Sequence, residues 1–321
     1  MRRILVTGCG GFVGSVLVRS LVDAGADVHG ADLGAAPSSF PGARYTRTDL
    51  ADFEAVMALI DKTAPDGIIH LAAHSSAGRS FKDPHETIRN NVHAALNLLE
   101  SLRRSESTAR LLAVGSADEY GPVDPVHLPL VETRQAHPAN PYALSKAVQT
   151  QCCSLYHSLY GIDVVMTRSF NHTGAGQTDT FVLPSFAKQI VEIKHKLRDP
   201  VMEVGNLDIK RDFLDVRDVV EAYLLLLRKG RAGEIYNVCS GTSCSLKELL
   251  HKLCALAKVT VEIRVREDRI RPTDTPELRG NKLKITRDTG WSPAISIDET
   301  LQSLIDYWHG VIVGSGGRER K

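Results

Sequence analysis

From residue 3 to about residue 170, short continuous apolar runs alternate with longer stretches in which apolar positions recur every three to four residues. The short runs read as strands buried on both faces, and the longer period reads as amphipathic helix. The first strand covers residues 3–7; a glycine-rich bend follows, then a helix over 15–22 that stops at Ala24-Gly25. Further strands are expected at 26–31, 45–47, 67–72, 110–116 and 162–167, and helices at 55–61, 88–103 and 142–160. Strand and helix alternating in this way build a doubly wound parallel sheet. After residue 170 the pattern loosens. Helices near 181–196 and 246–256 stand among loops at 173–180 and 270–280, whereas 216–227 and 235–238 are expected to return to the sheet. The expected fold class is α/β: a doubly wound, parallel-sheet Rossmann fold over residues 1–169, which 215–239 rejoins, and a smaller C-terminal α/β substrate domain mainly within 170–321. The tail from 314 is expected to fray.

Composition narrows the function classes. The 321 residues are 43% hydrophobic and 24% charged with a net charge of +1, so neither nucleic acid nor an anionic membrane surface is an expected partner. Glycines break the apolar run after Met1-Arg2-Arg3, and no 18-residue apolar stretch follows; a cytoplasmic protein is expected. The six cysteines, Cys152-Cys153 included, have no Cys-x-x-Cys spacing and read as small buried thiols, and the twelve histidines show no paired ligand pattern. No metal is expected.

Two motifs carry chemistry. Thr7-Gly8-Cys9-Gly10-Gly11-Phe12-Val13-Gly14 joins the first strand to the first helix. Glycines there let the backbone approach a pyrophosphate, which the helix N-terminus then holds. Asp32 closes the second strand, where a carboxylate meets the adenosine ribose and repels a 2′-phosphate, so NAD(H) is favoured over NADP(H). Tyr142-Ala143-Leu144-Ser145-Lys146 places a phenol and an ammonium one helical turn apart on one face. A fixed cation favours the phenolate, which suits Tyr142 to trade a proton with a substrate oxygen. Beside a nicotinamide this is carbonyl/alcohol chemistry.

Over nearly its whole length the chain resembles the extended short-chain dehydrogenase/reductases that act on nucleotide sugars. The residues that carry the resemblance are the glycine loop, Asp49-Leu50, His70-Leu71-Ala72-Ala73, Asn91-Val92, Gly115-Ser116, Tyr142 with Lys146, and Arg211-Asp212-Phe213. Within that family residues 169–177, 204–208 and 236–241 are most similar to the GDP-4-keto-6-deoxymannose reductases, which make GDP-rhamnose, and to the GDP-mannose 4,6-dehydratases. The resemblance implies that Ser116 orients the sugar carbonyl, that Tyr142 donates the proton, and that Lys146 tunes Tyr142 and holds the nicotinamide ribose. It implies cofactor contacts from Gly8, Gly11, Phe12, Val13, Gly14, Asp32, Asp49, Leu50, Leu71, Ala72 and Ala73. For the GDP-sugar it implies Asn171, Arg211 and Arg271 at the diphosphate, with Arg279, Val182, Lys188 and Gly205 around it, and Asp118 and Glu119 on sugar hydroxyls or the active-site loop.

Reaction type turns on Ser116-Ala117-Asp118-Glu119-Tyr120-Gly121. In the family's dehydratases a Thr-x-Glu supplies the carboxylate that takes the C5 proton. Here Ser replaces Thr and the Glu position holds Asp118, one methylene shorter, where ~1 Å of lost reach costs ~10²-fold. Reduction of a 4-keto sugar by NAD(P)H is therefore the expected activity. A GDP-mannose 4,6-dehydratase, a nucleotide-sugar 4-epimerase with retained NAD, and a non-catalytic nucleotide-binding regulator are the alternatives. The helices at 88–103 and 142–160 resemble the pair that forms a dimer interface in this family, with Leu155, Tyr156, Leu159 and Tyr160 as an apolar stripe; a homodimer is expected.

Overall fold

The computed structural model describes residues 3–36, 42–269 and 275–316. Its first half runs β1 (Arg3–Thr7), α1 (Phe12–Asp23), β2 (Asp27–Asp32), β3 (Arg44–Arg47), α2 (Phe53–Thr63), β4 (Gly67–His70), α3 (Ala77–Ser80), α4 (Pro84–Arg104), β5 (Arg110–Ser116), α5 (Pro141–Tyr160) and β6 (Val164–Ser169). Then follow β7 (Asn171–Thr173), α6 (Val182–Lys194), β8 (Val201–Val204), β9 (Lys210–Arg211), β10 (Phe213–Asp215), α7 (Val216–Lys229) and β11 (Ile235–Val238). The chain continues through β12 (Cys244–Ser245), α8 (Leu246–Ala257), β13 (Glu262–Val265), β14 (Glu277–Leu278), α9 (Leu283–Thr289) and α10 (Ile297–Gly316).

Seven parallel strands form one sheet in the order β11-β6-β5-β4-β1-β2-β3. This is the doubly wound Rossmann arrangement that the alternation predicts. The central strands are apolar on both faces because helices cover both. On one face Leu17, Leu21, Val219, Tyr223 and Leu226 of α1 and α7 pack on Val6, Ile69 and Leu112. On the other, Val56, Leu59, Leu98, Leu99 and Cys153 of α2, α4 and α5 pack on Leu5, Ile68 and Leu111. Each such side chain contributes roughly 1.5–3 kcal/mol by leaving water. Strand order reverses between β1 and β4, and the crevice beyond the carboxyl ends of those strands is where such sheets bind ligands. A buried contact, Thr7 Oγ1 to His70 Nδ1 at 2.8 Å, ties the two strand ends there.

A separate apolar cluster joins α6, α8 and α10 with Met202 and Val204 of β8. Three small sheets, β10-β7, β12-β9-β14 and β13-β8, border it. Strands this short carry little period of their own, so β14 and Thr173, the last residue of β7, fall in stretches expected to be loop. All six cysteines are free thiols, but only Cys9, Cys153 and Cys239 are buried, whereas Cys152, Cys244 and Cys254 keep partial access to solvent. Among the described residues no helix is long and apolar enough to cross a membrane.

Candidate active site

At the end of β1 the chain turns at Gly8, whose φ of +71° is left-handed backbone that residues with a side chain rarely adopt. A Cβ there would stand 2.6 Å from the Ala72 amide nitrogen, so β1 and the segment after β4 approach as only a glycine allows. Gly14 lies on the inner face of α1, where a Cβ would overlap the Gly8 carbonyl oxygen. The helix is thereby pressed onto the loop. Its N-cap, Gly11, offers no side-chain acceptor to the first amides, which leaves them for an anion. Asp32 is held at the end of β2, its carboxylate accepting from the amides of Gly10 (2.9 Å) and Leu33 (2.8 Å). Asp49 is fixed in the next turn by the Ala51 amide (2.9 Å) and Leu50 by Asn97 (2.9 Å to its carbonyl). Gly8, Gly11, Phe12, Val13, Gly14, Asp32, Asp49, Leu50, Leu71, Ala72 and Ala73 all line one cleft of about 1420 Å³. A single small-molecule site is ~300–1,000 Å³, so the cleft has room for a dinucleotide and a second ligand. The cradle, the uncapped amides and the Asp32 carboxylate at the end of β2, all lining one cleft, fit a nicotinamide dinucleotide.

Ser116 ends β5 and caps the 3-10 turn Ala117–Tyr120, its hydroxyl accepting from the Asp118 amide at 3.2 Å. Tyr142 stands in the first turn of α5, which Pro141 opens and Asn140 caps, accepting from Ala143 N at 2.8 Å. Tyr142 and Ser116 line the same cleft. Burial, and next the Asp118 carboxylate, push the phenol well above the ordinary tyrosine value, against the serine side chain, which works to lower its pKa. This reverses the shift expected from pairing with a cation: the group is held as the neutral phenol, the form from which a proton can be given. Lys146, one turn on, donates to the Val114 carbonyl (2.8 Å) and to Gln149 Oε1 (3.1 Å). Burial pulls its pKa down to about 8, with Glu119 the largest influence that opposes it.

Of the residues expected around the sugar, Ser116, Asp118, Asn171, Val182, Gly205 and Arg211 line the cleft. Arg211 is anchored there by Nη1 bonds to the carbonyls of Thr275 (2.7 Å) and Lys210 (2.9 Å). Glu119 requires a correction. Its side chain is fully buried behind the serine, bonded to the Ser116 amide, Thr150 and Arg168, and cannot reach a sugar hydroxyl. Lys188 and Arg279 are likewise not among the lining residues: Lys188 is turned to Asp179 (2.7 Å), which does line the cleft, and Arg279 to Glu277 (3.2 Å). Arg271 lies outside the described residues.

Several lining groups escape sequence reasoning, among them His74, Asn91, Gln177 and Asp179. Asn91 takes the His74 amide at 2.7 Å and donates to Ser145 Oγ at 2.9 Å, which in turn donates to the Tyr142 carbonyl at 2.7 Å. A fully buried amide on the inner face of α4 must find partners there, and that is what marks it. Gln177 and Asp179 stand in an aperiodic loop and give no such signal.

Comparison with known proteins is consistent along the whole chain. The family model described as GDP-mannose 4,6 dehydratase matches residues 5–304. The GDP-6-deoxy-D-mannose reductase of Pseudomonas aeruginosa is 38% identical over 310 residues, 96% of this chain and 97% of that protein. The solved structure of RMD from Pseudomonas aeruginosa complexed with NADPH is similar with a TM-score of 0.85 at 36% identity, covering 97% of this chain and 100% of that one. The UDP-glucose 4-epimerase of Thermus thermophilus, solved in complex with NAD, has a TM-score of 0.87 at 29% identity, covering 97% of this chain and 99% of that one.

Proposed function

The chain belongs to the GDP-mannose 4,6 dehydratase family of extended short-chain dehydrogenase/reductases, and on that premise we propose that it reduces the C4 keto group of a GDP-linked 4-keto-6-deoxyhexose. The carrying observation is that the Ser116 hydroxyl and the neutral Tyr142 phenol line the same cleft as the glycine cradle. The nicotinamide, held by the cradle and by Lys146, supplies the hydride. Ser116 orients the keto oxygen, and Tyr142 gives it a proton as charge develops there. The seven-stranded sheet with its covering helices, to which 215–239 adds α7 and β11, serves the cofactor; the cluster of α6, α8 and α10 with its small sheets walls the nucleotide sugar, and Asn171 and Arg211 take its phosphates. Asp118 supports a reductase over a dehydratase because the base that dehydration needs is a methylene short. Incubation with GDP-4-keto-6-deoxymannose and NAD(P)H should consume reductant and yield the 6-deoxyhexose, whereas GDP-mannose alone should remain unchanged. The opposite pattern, 4-keto product from GDP-mannose without added reductant, would replace this reading with the dehydratase.

Asp32 favours NADH. Its carboxylate, fixed by two amides, accepts from a ribose hydroxyl and repels a 2′-phosphate. A hydrogen bond to a charged group contributes roughly 1.5–3 kcal/mol, so Asp32→Ala should weaken NADH about 10–100-fold and leave NADPH equal or tighter. An unchanged NADH/NADPH ratio of Kd values would remove the contact. Leu155, Leu159 and Tyr160 stand 53%, 62% and 52% exposed along one side of α5. A second copy of this chain covers them in the proposed homodimer, whose mass in light scattering should be twice 35.1 kDa; a monomer mass at micromolar concentration would dismiss it.

A further inference from the structure

Behind the serine, four elements meet at one carboxylate: the 3-10 turn that carries it, β5, α5 and β6. Glu119 is the third residue of the 3-10 turn that Ser116 caps, and the two form a reciprocal capping box. Glu119 Oε1 accepts the Ser116 amide at 3.0 Å. Its Oε2 accepts Thr150 Oγ1 at 3.1 Å and Arg168 Nε at 3.2 Å. Thr150 follows Tyr142 and Lys146 on α5 at successive four-residue steps, so all three share a face of that helix. Arg168 lies in β6, stacks 4.4 Å from the centre of the Tyr120 ring, and donates to the carbonyls of Glu132 (3.3 Å) and Arg134 (2.9 Å). The carboxylate is completely shielded and the guanidinium 4% exposed. Replacing such a pair with apolar residues is often neutral for stability, so a buried ion pair is weak evidence of a stabilising role. What this pair also does is tie the Ser116 end of β5 to α5, which carries Tyr142 and Lys146, in addition to the bonds of Lys146 and Gln149 to the Val114 carbonyl of β5.

We propose that Glu119 is a positioning residue: it fixes the Ser116 hydroxyl against the Tyr142 phenol by gripping the serine amide with one oxygen and α5 and β6 with the other. The inference rests on the proposed ketoreduction and assigns Glu119 a part in it without contact to the sugar. Its charge acts on the same groups. Lys146 is faced by Glu119 from the 3-10 turn, by Cys153 and Tyr142 from α5 and by His70 from β4; Glu119 is the largest influence that opposes burial and keeps the ammonium charged. It also raises the Tyr142 phenol.

The test compares Glu119→Gln, which keeps the shape and the acceptor for the Ser116 amide but not the charge, with Thr150→Val, which cuts the tie to α5 and keeps the charge. In Glu119→Gln kcat should fall about 10–100-fold with the sugar KM within about threefold of the parent, and the alkaline limb of kcat should move to lower pH. Lys146, followed by ε-13C-lysine NMR and assigned by its loss in Lys146→Met, should titrate at lower pH than in the parent. In Thr150→Val kcat should fall roughly threefold to tenfold with the Lys146 titration unmoved. A fall in Tm alone, with kcat, its pH limb and the lysine titration at parental values, would reduce Glu119 to a brace of the fold. If Glu119→Gln does not fold, parental kcat in Thr150→Val overturns the proposal. The lysine titration needs no sugar, so a parent inactive on the keto-sugar overturns the ketoreduction while the NMR arm still decides whether Glu119 acts on the catalytic helix.

Discussion

Tyr142→Phe is expected to lower kcat about 10²–10⁴-fold while NAD(P)H binds with the parental Kd. The phenyl ring keeps its place in the first turn of α5, where Pro141 and the Asn140 cap set the backbone independently of the hydroxyl. What is lost is the proton. The keto oxygen would gain negative charge with only Ser116 to meet it, and the Ser116 hydroxyl, already accepting from the Asp118 amide, has a single proton to offer. Because burial and Asp118 hold the phenol above its ordinary value, Tyr142 stays protonated throughout the physiological range, and the parent should show no acid requirement there. The alkaline limb belongs to Lys146, pulled to about 8: turnover should be level below that pH and fall above it as the ammonium is lost. Stopped-flow absorbance of the reduced nicotinamide reads both kcat and the profile. Parental kcat in Tyr142→Phe would assign the proton to another donor.

Much of this architecture is readable before any coordinates, and the physical reason is burial. Strands such as 3–7 and 110–116 are covered on both faces and must be apolar throughout, while α1, α2 and α4 must carry a stripe; both leave periods in the sequence. The glycine loop is legible because Gly8 and Gly14 stand where no side chain fits. The bordering sheets are not, since β9, β12 and β14 are two residues long and are held in place by tertiary contacts rather than by any pattern of their own. Electrostatics are the least legible. Tyr142 and Lys146 read as a pair in which the cation lowers the phenol; the structure adds the Asp118 carboxylate and the burial that reverse the direction. Glu119 reads as an acid beside a catalytic serine, bonding either a sugar hydroxyl or the active-site loop, and the structure shows the loop bond. Two signs in the sequence point inward. Ser116-x-x-Glu119 is a capping-box spacing, and Arg168 interrupts a strand that is otherwise buried, which demands a partner charge. Read together they pair the two residues across β5 and β6.

That pairing sets the largest expected effect on stability. Arg168→Met should destabilise the protein by about 3–5 kcal/mol at neutral pH, because a carboxylate with no exposure is left without its cation, and Tm should fall on the order of 10 °C. Two carbonyls, those of Glu132 and Arg134, lose a donor at the same time. The pH dependence identifies the cause. Burial is the leading influence on Glu119 and raises its pKa, and Arg168 is the first of those that oppose it; without the guanidinium the folded-state value rises further above that of the unfolded chain. A carboxyl shifted upward stabilises the fold below its unfolded pKa, and that contribution disappears as pH rises through the folded pKa. The deficit in Arg168→Met should therefore be small at acid pH, where Glu119 is protonated with or without the guanidinium, and grow toward neutrality, whereas lost packing alone would cost the same at every pH. Adding Glu119→Leu removes the stranded charge and should return part of the lost Tm at pH 7 while kcat stays depressed, since the Ser116 amide has lost its clamp. Denaturant unfolding of parent, single and double variants between pH 4.5 and 8 measures each arm, and a deficit that does not vary with pH would mean that Glu119 is not the group Arg168 holds in its ionised form.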